Sequence, residues 1–309
     1  MCGLFGFLKY GNEPIKDLSG LTNSLAEQSA LRGTDATGIA FCKNGNISIV
    51  KEAKSAYTLD LKHPDNTTAL IGHTRHSTQG SERKNYNNHP FAGRCKNARF
   101  SLAHNGVLIN DKELRDKYKL PKSKVETDSF IAVQLIESKR QLNFDSIKFM
   151  AEKIEGSFSF SILDDKNCLY LIKGDSPLSI LHFPEYRIYV YASTEEILYK
   201  SLVDYPLLFK ALKNQECHEI DISEGDILKL NPDGTIEKSR FDYSYYYGRN
   251  WWDFGMPHFS NTTKDDYIEN LKSIAVYQGY SPEDIDKMLS SGFSPEEIEE
   301  YIYCIECEV

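Results

Sequence analysis

Cys2 stands directly after Met1 at the head of an apolar, strand-like run, Gly3-Leu4-Phe5-Gly6-Phe7-Leu8. A small second residue is the kind that methionine aminopeptidase uncovers. Loss of Met1 would leave one residue carrying both a thiol and a free α-amine, whose ordinary pKa of about 7.7–8.0 lies close enough to neutral to take the thiol's proton. The expected first element is therefore a strand with a nucleophile and its base at the leading end. Composition bounds what can surround it. A chain of 309 residues can bury one large core, or one core plus a small appendage. Its 40% hydrophobic and 26% charged residues are typical of soluble globular proteins. A formal net charge of -9, without any basic-plus-aromatic motif, argues against nucleic acid as a partner. No apolar run is long enough to span a bilayer and no targeting segment precedes Cys2, so the expectation is a cytoplasmic protein with no membrane partner. Seven scattered cysteines, without disulfide-framework spacing, suit a reducing compartment in which Cys2 stays free. Cys304 and Cys307 have the spacing of half a zinc site, but no second pair accompanies them, and no metal is expected.

Hydrophobic periodicity alternates between strands and helices. Residues 38–50 read as a strand pair around Asn44-Gly45, a turn dipeptide that tolerates positive φ. Residues 157–163, 168–173, 178–183 and 187–191 repeat that alternating texture with short turns between them, which predicts antiparallel strands. Helices are expected over residues 18–30, 128–139 and 144–154, where apolar residues recur at core-facing spacing. Strand groups with helices inserted between them imply a layered α+β arrangement.

Four further segments follow Cys2 in order: Arg32-Gly33-Thr34-Asp35-Ala36-Thr37-Gly38, Gly72-His73-Thr74-Arg75-His76-Ser77-Thr78-Gln79-Gly80, Ala103-His104-Asn105-Gly106-Val107-Leu108-Ile109-Asn110 and Glu126-Thr127-Asp128. With Cys2, they resemble the class II glutamine amidotransferases, the N-terminal-nucleophile family, and most nearly the glutaminase domain of glucosamine-6-phosphate synthase. Gly174-Asp175-Ser176-Pro177-Leu178, Tyr191-Ala192-Ser193-Thr194 and Glu224-Gly225-Asp226-Ile227 fit later turns of the same family. The resemblance covers roughly the first three quarters of the chain. It implies an N-terminal-nucleophile hydrolase fold, a four-layer αββα sandwich of two antiparallel sheets, over residues 2–240.

The resemblance also implies roles. Cys2 attacks the side-chain amide of L-glutamine and Arg32 orients the N-terminus beside it. The Asn105 side chain and the Gly106 backbone N–H form the oxyanion hole. Arg75 takes the substrate α-carboxylate, for which a guanidinium fork is suited because it can bind both oxygens. Asp128 takes the α-ammonium and Thr78 lines the same pocket. Taken alone, Arg75 and Asp128 would read as a surface ion pair; inside matched motifs they read as ligands. His76 and Gln79 depart from the family, which usually has an aromatic residue and often a histidine there, so loop gating is where a difference is expected. His89, in Asn88-His89-Pro90-Phe91, fits a family segment and reads as structural.

Residues 241–262 form an aromatic-rich linker and residues 263–309 a small helical module, in which Ser281-Pro282-Glu283-Asp284 and Ser294-Pro295-Glu296-Glu297 mark two capped helix starts. The module resembles ubiquitin-associated-type domains, which bind proteins, with a passive packing extension as the alternative. About seventy residues after the glutaminase region are too few for a synthase domain. No phosphate-binding loop or dinucleotide motif occurs, so no cofactor is expected. The reading is a glutamine-hydrolysing subunit that hands ammonia to a separate synthase protein. Its alternatives are an amidohydrolase of the same fold without an acceptor and a catalytically silent glutamine-binding adaptor.

Overall fold

The computed structural model describes residues 2–11, 15–43, 45–243, 268, 272, 280–291, 293 and 298. Thirteen strands are described: β1 (Gly3–Lys9), β2 (Ala36–Lys43), β3 (Asn46–Glu52), β4 (Ala69–Arg75), β5 (Phe91–Arg94), β6 (Arg99–Leu108), β7 (Gly156–Asp164), β8 (Leu169–Lys173), β9 (Ser179–Phe183), β10 (Ile188–Ala192), β11 (His218–Glu219), β12 (Asp226–Leu230) and β13 (Ile236–Arg240). They form two sheets, of order β11-β9-β10-β1-β4-β2-β3 and β13-β12-β8-β7-β6-β5. Every pairing is antiparallel. The helices with described bounds are α1 (Leu18–Ser29), α2 (Asp111–Lys117), α3 (Phe130–Ser138), α4 (Phe144–Ala151), α5 (Glu195–Val203), α6 (Pro206–Lys213) and α7 (Pro282–Ser290), with a 3₁₀ turn at Ala30–Arg32.

The layering follows from where alternate side chains go. On β1, Leu4 and Leu8 join Ile71, Ala103, Leu171 and Leu228 in a core between the two sheets. Phe5 and Phe7 point the other way, into a core with Leu21 and Leu25 of α1 and Leu198 of α5. Both faces of β1 are therefore buried, and a strand of period two must be apolar throughout to sit there. On the far side of the second sheet, Phe100 and Phe160 pack with Ile131 and Leu135 of α3 and Ile147 and Met150 of α4. The result is helix, sheet, sheet, helix: the expected α+β sandwich of two antiparallel sheets. Each fully buried Leu, Ile or Phe in these cores contributes about 1.5–3 kcal/mol from area removed from water.

The expected elements appear with shifted ends. Lys43 pairs with Asn46 across a two-residue loop in which Gly45 has φ 71°; Asn44 lies outside the described residues. The helix expected from residue 128 starts at Phe130, because Asp128 accepts hydrogen bonds from Leu108 N and Ser129 Oγ instead of continuing the helix. The helix expected to reach residue 154 ends at Ala151. The strand expected from residue 187 begins at Ile188, since Arg187 has φ 49° and closes a turn. Helices α2, α5 and α6 were not foreseen, although Thr194 caps α5 by accepting from Ile197 N and Pro206 occupies the first turn of α6.

The chain divides into two compact units, residues 1–248 and 249–309. In the second, Ser281 and Asp284 form the reciprocal cap expected at the start of α7, and Ile285 and Ile298 are buried together. Ser294 to Glu297, Cys304, Cys307 and most of the aromatic-rich segment lie outside the described residues; earlier in the helical module, Ile268 and Lys272 are described and are helical. At the segment's start, Phe241 and Tyr243 pack on Phe158 in the first unit, with ring centroids 5.9 and 6.2 Å away. Among the described residues no helix is long and apolar enough to cross a membrane.

Candidate active site

Strand pairing delivers Cys2 to the end of β4. Gly3 lies opposite Thr74, so the residue before it meets the residues after it. Cys2 Sγ stands 3.5 Å from the carbonyl oxygen of His76 and accepts from His76 N at 3.4 Å. Arg32, on the 3₁₀ turn after α1, donates from Nε to the Cys2 carbonyl at 2.8 Å. The close approach explains the glycine after Cys2. A Cβ at Gly3 would lie 2.6 Å from Thr74 Oγ1 and 2.9 Å from the Ser29 carbonyl oxygen. Burial raises the Cys2 thiol above its ordinary pKa and Asp128 adds to the rise, against lowering by the His76 N–H and the Arg75 charge. At neutral pH the sulfur therefore keeps its proton and needs a base to react.

Asn105 and Gly106 lie near the C-terminal end of β6, opposite Ser159 and Phe158 of β7. Asn105 is 2% exposed and its Nδ2 has no hydrogen-bond partner. A buried donor left unsatisfied costs about 1–3 kcal/mol, so an acceptor arriving there has a place prepared for it. Gly106 has φ 138°, and a Cβ on it would stand 2.0 Å from the Ser157 carbonyl oxygen. Only glycine fits. The bond from His73 Nε2 to the His104 carbonyl oxygen, 2.9 Å, ties this part of β6 to β4 two residues before Arg75.

Arg75 is 3% exposed. Its Nη1 donates to Asn88 Oδ1 and its Nη2 to the carbonyl oxygens of Gln79 and Gly80, each at 2.7 Å. Burial pulls its basicity down, while Cys2, Glu82, Asp35 and Asp128 pull it up. Asp128 is buried and accepts from Leu108 N at 2.6 Å and Ser129 Oγ at 3.2 Å, which ties it to the strand carrying Asn105. Cys2, Arg32, Arg75 and Asp128 thus share one electrostatic neighbourhood, with both substrate-sized charges represented. Thr78 is exposed on the following loop.

Several residues that the sequence reading did not single out hold this arrangement. Asp35 accepts from Ser77 N at 2.7 Å and donates its own N–H to the Arg75 carbonyl at 2.9 Å, clasping the loop that touches Cys2. Gln79 Nε2 donates to the Glu126 carbonyl at 2.9 Å, and the Glu126 carboxylate accepts from Lys84 and from Asn87. His76 is exposed. The motif flanks carried Asp35 and Glu126, but nothing in one sequence joins them to the loop. Behind the site, the His89 ring packs tilted against His73 and Phe91, with centroids 4.1 and 4.4 Å away, and neither of its ring nitrogens has a hydrogen bond. Burial pushes His73 down to about 3 and His89 well below the ordinary histidine range. Both are neutral at physiological pH, in keeping with a structural role for His89. No group of three or more His, Cys, Asp or Glu side chains among the described residues could hold a metal ion.

Residues 73–200 match the glutamine amidotransferase domain family, a span that contains Arg75, Asn105, Gly106 and Asp128. The chain is 35% identical over 191 residues to the glutamine–fructose-6-phosphate aminotransferase (isomerizing) of Staphylococcus aureus, covering 58% of this chain and 30% of that protein. The same enzyme of Staphylococcus epidermidis is 34% identical over the same length. The chain thus spans less than a third of the length of these curated relatives. Among solved structures, glutamine phosphoribosylpyrophosphate amidotransferase from B. subtilis, complexed with ADP and GMP, superposes with a TM-score of 0.58 at 20% identity, covering 86% of this chain and 52% of that one. A structure described as the allosteric regulatory enzyme of purine biosynthesis gives 0.59 at the same identity and coverage. At that identity these two likenesses establish a shared fold, the layered sandwich of two antiparallel sheets.

Proposed function

We propose that this chain, which carries a class II glutamine amidotransferase domain, hydrolyses L-glutamine to L-glutamate and ammonia through a thioester on Cys2. With Met1 removed, the Cys2 α-amine takes the thiol proton as sulfur attacks the substrate carboxamide carbon. The developing oxyanion receives the Asn105 amide and the Gly106 N–H. Collapse of the tetrahedral adduct breaks the carbon–nitrogen bond, and the proton held by the α-amine leaves with ammonia. Water then attacks the γ-glutamyl thioester while the amine takes a proton from it, and as the carbon–sulfur bond breaks the amine passes that proton to sulfur. Arg75 binds the α-carboxylate, Asp128 the α-ammonium, Thr78 lines the pocket and Arg32 fixes the Cys2 carbonyl. The pair of opposite charges favours free glutamine over peptide-bound glutamine, which lacks both.

The observation that carries this reading is the buried Asn105 Nδ2, a donor that no group of the described structure satisfies. Each oxyanion donor is typically worth about 2.7–4 kcal/mol in the transition state, so Asn105→Ala should lower kcat by about a hundredfold or more with little change in KM. Steady-state glutaminase kinetics on the purified chain test this; an unchanged kcat would remove Asn105 from the oxyanion hole.

The wider assignment follows from the chemistry. Ammonia is the useful product in this reading, and its proposed acceptor is a separate synthase protein in the cytoplasm. Residues 2–240 serve as the glutaminase, residues 241–262 as a linker and residues 263–309 as the docking module. The mechanism calls on no cofactor.

A further inference from the structure

The proposed carboxylate ligand Arg75 is held from behind by groups outside the motifs. Asn88, 1% exposed, accepts from Arg75 Nη1 at 2.7 Å and donates its own amide to the Glu82 carbonyl at 2.8 Å and to Asn85 Oδ1 at 3.1 Å. The backbone of the same segment is anchored by one side chain of β3. Lys51, on β3, donates from Nζ to the carbonyl oxygens of both Asn88 and Pro90. The ammonium also stands 5.1 Å from the centre of the Phe91 ring. Asn85 closes the frame by donating Nδ2 to the Lys51 carbonyl at 2.6 Å. Lys51 has no carboxylate partner in these contacts: its charge is balanced by two carbonyl dipoles and an aromatic face, an arrangement that fixes backbone more than it neutralises charge.

We propose that Lys51 is a positioning residue for glutamine binding, holding the residue 88–90 turn so that Asn88 aims the Arg75 guanidinium at the substrate α-carboxylate. The inference rests on the assignment of Arg75 to that carboxylate. Three of the five guanidinium N–H groups are committed to Asn88, Gln79 and Gly80. The direction of the remaining donors is therefore set by the frame and not by the substrate, and a fork that must be aimed is sensitive to small displacements. Lys51 is also the member of the frame that changes charge near physiological pH. Burial, and then the Arg75 charge, lower its pKa to about 8. The titratable and charged groups facing it are Arg75 and His73 on β4 and His89 in the turn itself, and burial keeps both histidines neutral at this pH. Deprotonation leaves Lys51 a weaker donor to the two carbonyls, so the frame should loosen as pH rises through about 8.

The experiment uses the full chain with Met1 removed, free glutamine as substrate and three variants: Lys51→Met, Lys51→Arg and Lys51→Met in an Arg75→Ala background. Expected is a roughly tenfold rise in KM for Lys51→Met at pH 7.5, with kcat within twofold, and no further rise in the Arg75→Ala background. Wild-type KM should climb between pH 7.5 and 9, whereas Lys51→Arg, which cannot lose its charge in this range, should keep a more nearly constant KM. A Lys51→Met KM within twofold of wild type, in protein that melts as wild type does, overturns the proposal. If Lys51→Met does not fold, the decision passes to Lys51→Arg, and a KM that climbs with pH as steeply as in wild type overturns it equally. Absence of glutaminase activity in the wild-type chain would instead count against the site assignment from which the inference starts, and active wild type with an unshifted Arg75→Ala would do the same.

Discussion

At the scale of single residues, the proposed mechanism separates groups that hold the substrate from groups that stabilise its transition state. In it, Arg75 meets a charge that glutamine carries throughout the reaction, so its removal would weaken ground state and transition state alike. Asn105 is assigned to a charge that exists only during acyl transfer. Arg75→Ala should therefore raise the glutamine KM at least tenfold with a small change in kcat, the inverse of the pattern proposed for Asn105→Ala, and parallel kinetics of the two variants would show the roles to be misassigned. These residues were legible in the sequence because each sits inside a motif whose neighbours have their own steric reasons. Gly3 and Gly106 are glycines because a Cβ would collide with Ser29, Thr74 and Ser157. Lys51, Asn88 and Asp35 were not legible as a group. Their parts are set by contacts across β3, β4 and the 88–90 turn, and a hydrogen bond between residues 37 positions apart leaves no spacing to read.

At the scale of elements, the β2–β3 hairpin, strands β7 to β10 and helices α1, α3 and α4 were legible by period, with their ends decided by local competition, while α2, α5 and β4 to β6 were not. Asp128 is the clearest case: its carboxylate is used by Leu108 N, so a residue that the pattern assigns to a helix lies ahead of it and is tied to β6. The element-level consequence that chemistry can test lies in the histidines linking β4, β6 and the 88–90 turn. His73, His89 and His104 are all held below the ordinary histidine range, first by burial. The unfolded chain therefore binds more protons than the folded one below about pH 6.5, and stability falls as the pH falls. For His73, whose folded pKa is about 3, the loss runs from about pH 6.5 down to about pH 3, at up to about 1.4 kcal/mol per pH unit. Urea denaturation should show a lower midpoint at pH 5 than at pH 7, with His73→Asn less sensitive than wild type. Equal midpoints at the two pH values would mean that these rings do not stay neutral in the fold.

At the scale of the whole molecule, the four layers give the N-terminal residue a fixed address: β1 is covered on one face by α1 and α5 and on the other by the second sheet, and Cys2 is the residue that emerges from its end. The second unit, residues 249–309, contributes none of the assigned site residues. In the proposed division of labour, truncation before residue 263 leaves basal glutaminase activity within a few-fold of the full chain and abolishes co-purification with the acceptor synthase. Unaltered capture of that enzyme would move docking to the glutaminase itself. Everything in the mechanism, however, depends on Cys2 having a free amine. Intact-mass analysis of active protein treated with a glutamine-like diazoketone, followed by peptide mapping, tests this directly. The account predicts a chain lacking Met1 with a single adduct on Cys2; active protein that retains Met1, or an inactivating adduct on another residue, would contradict it.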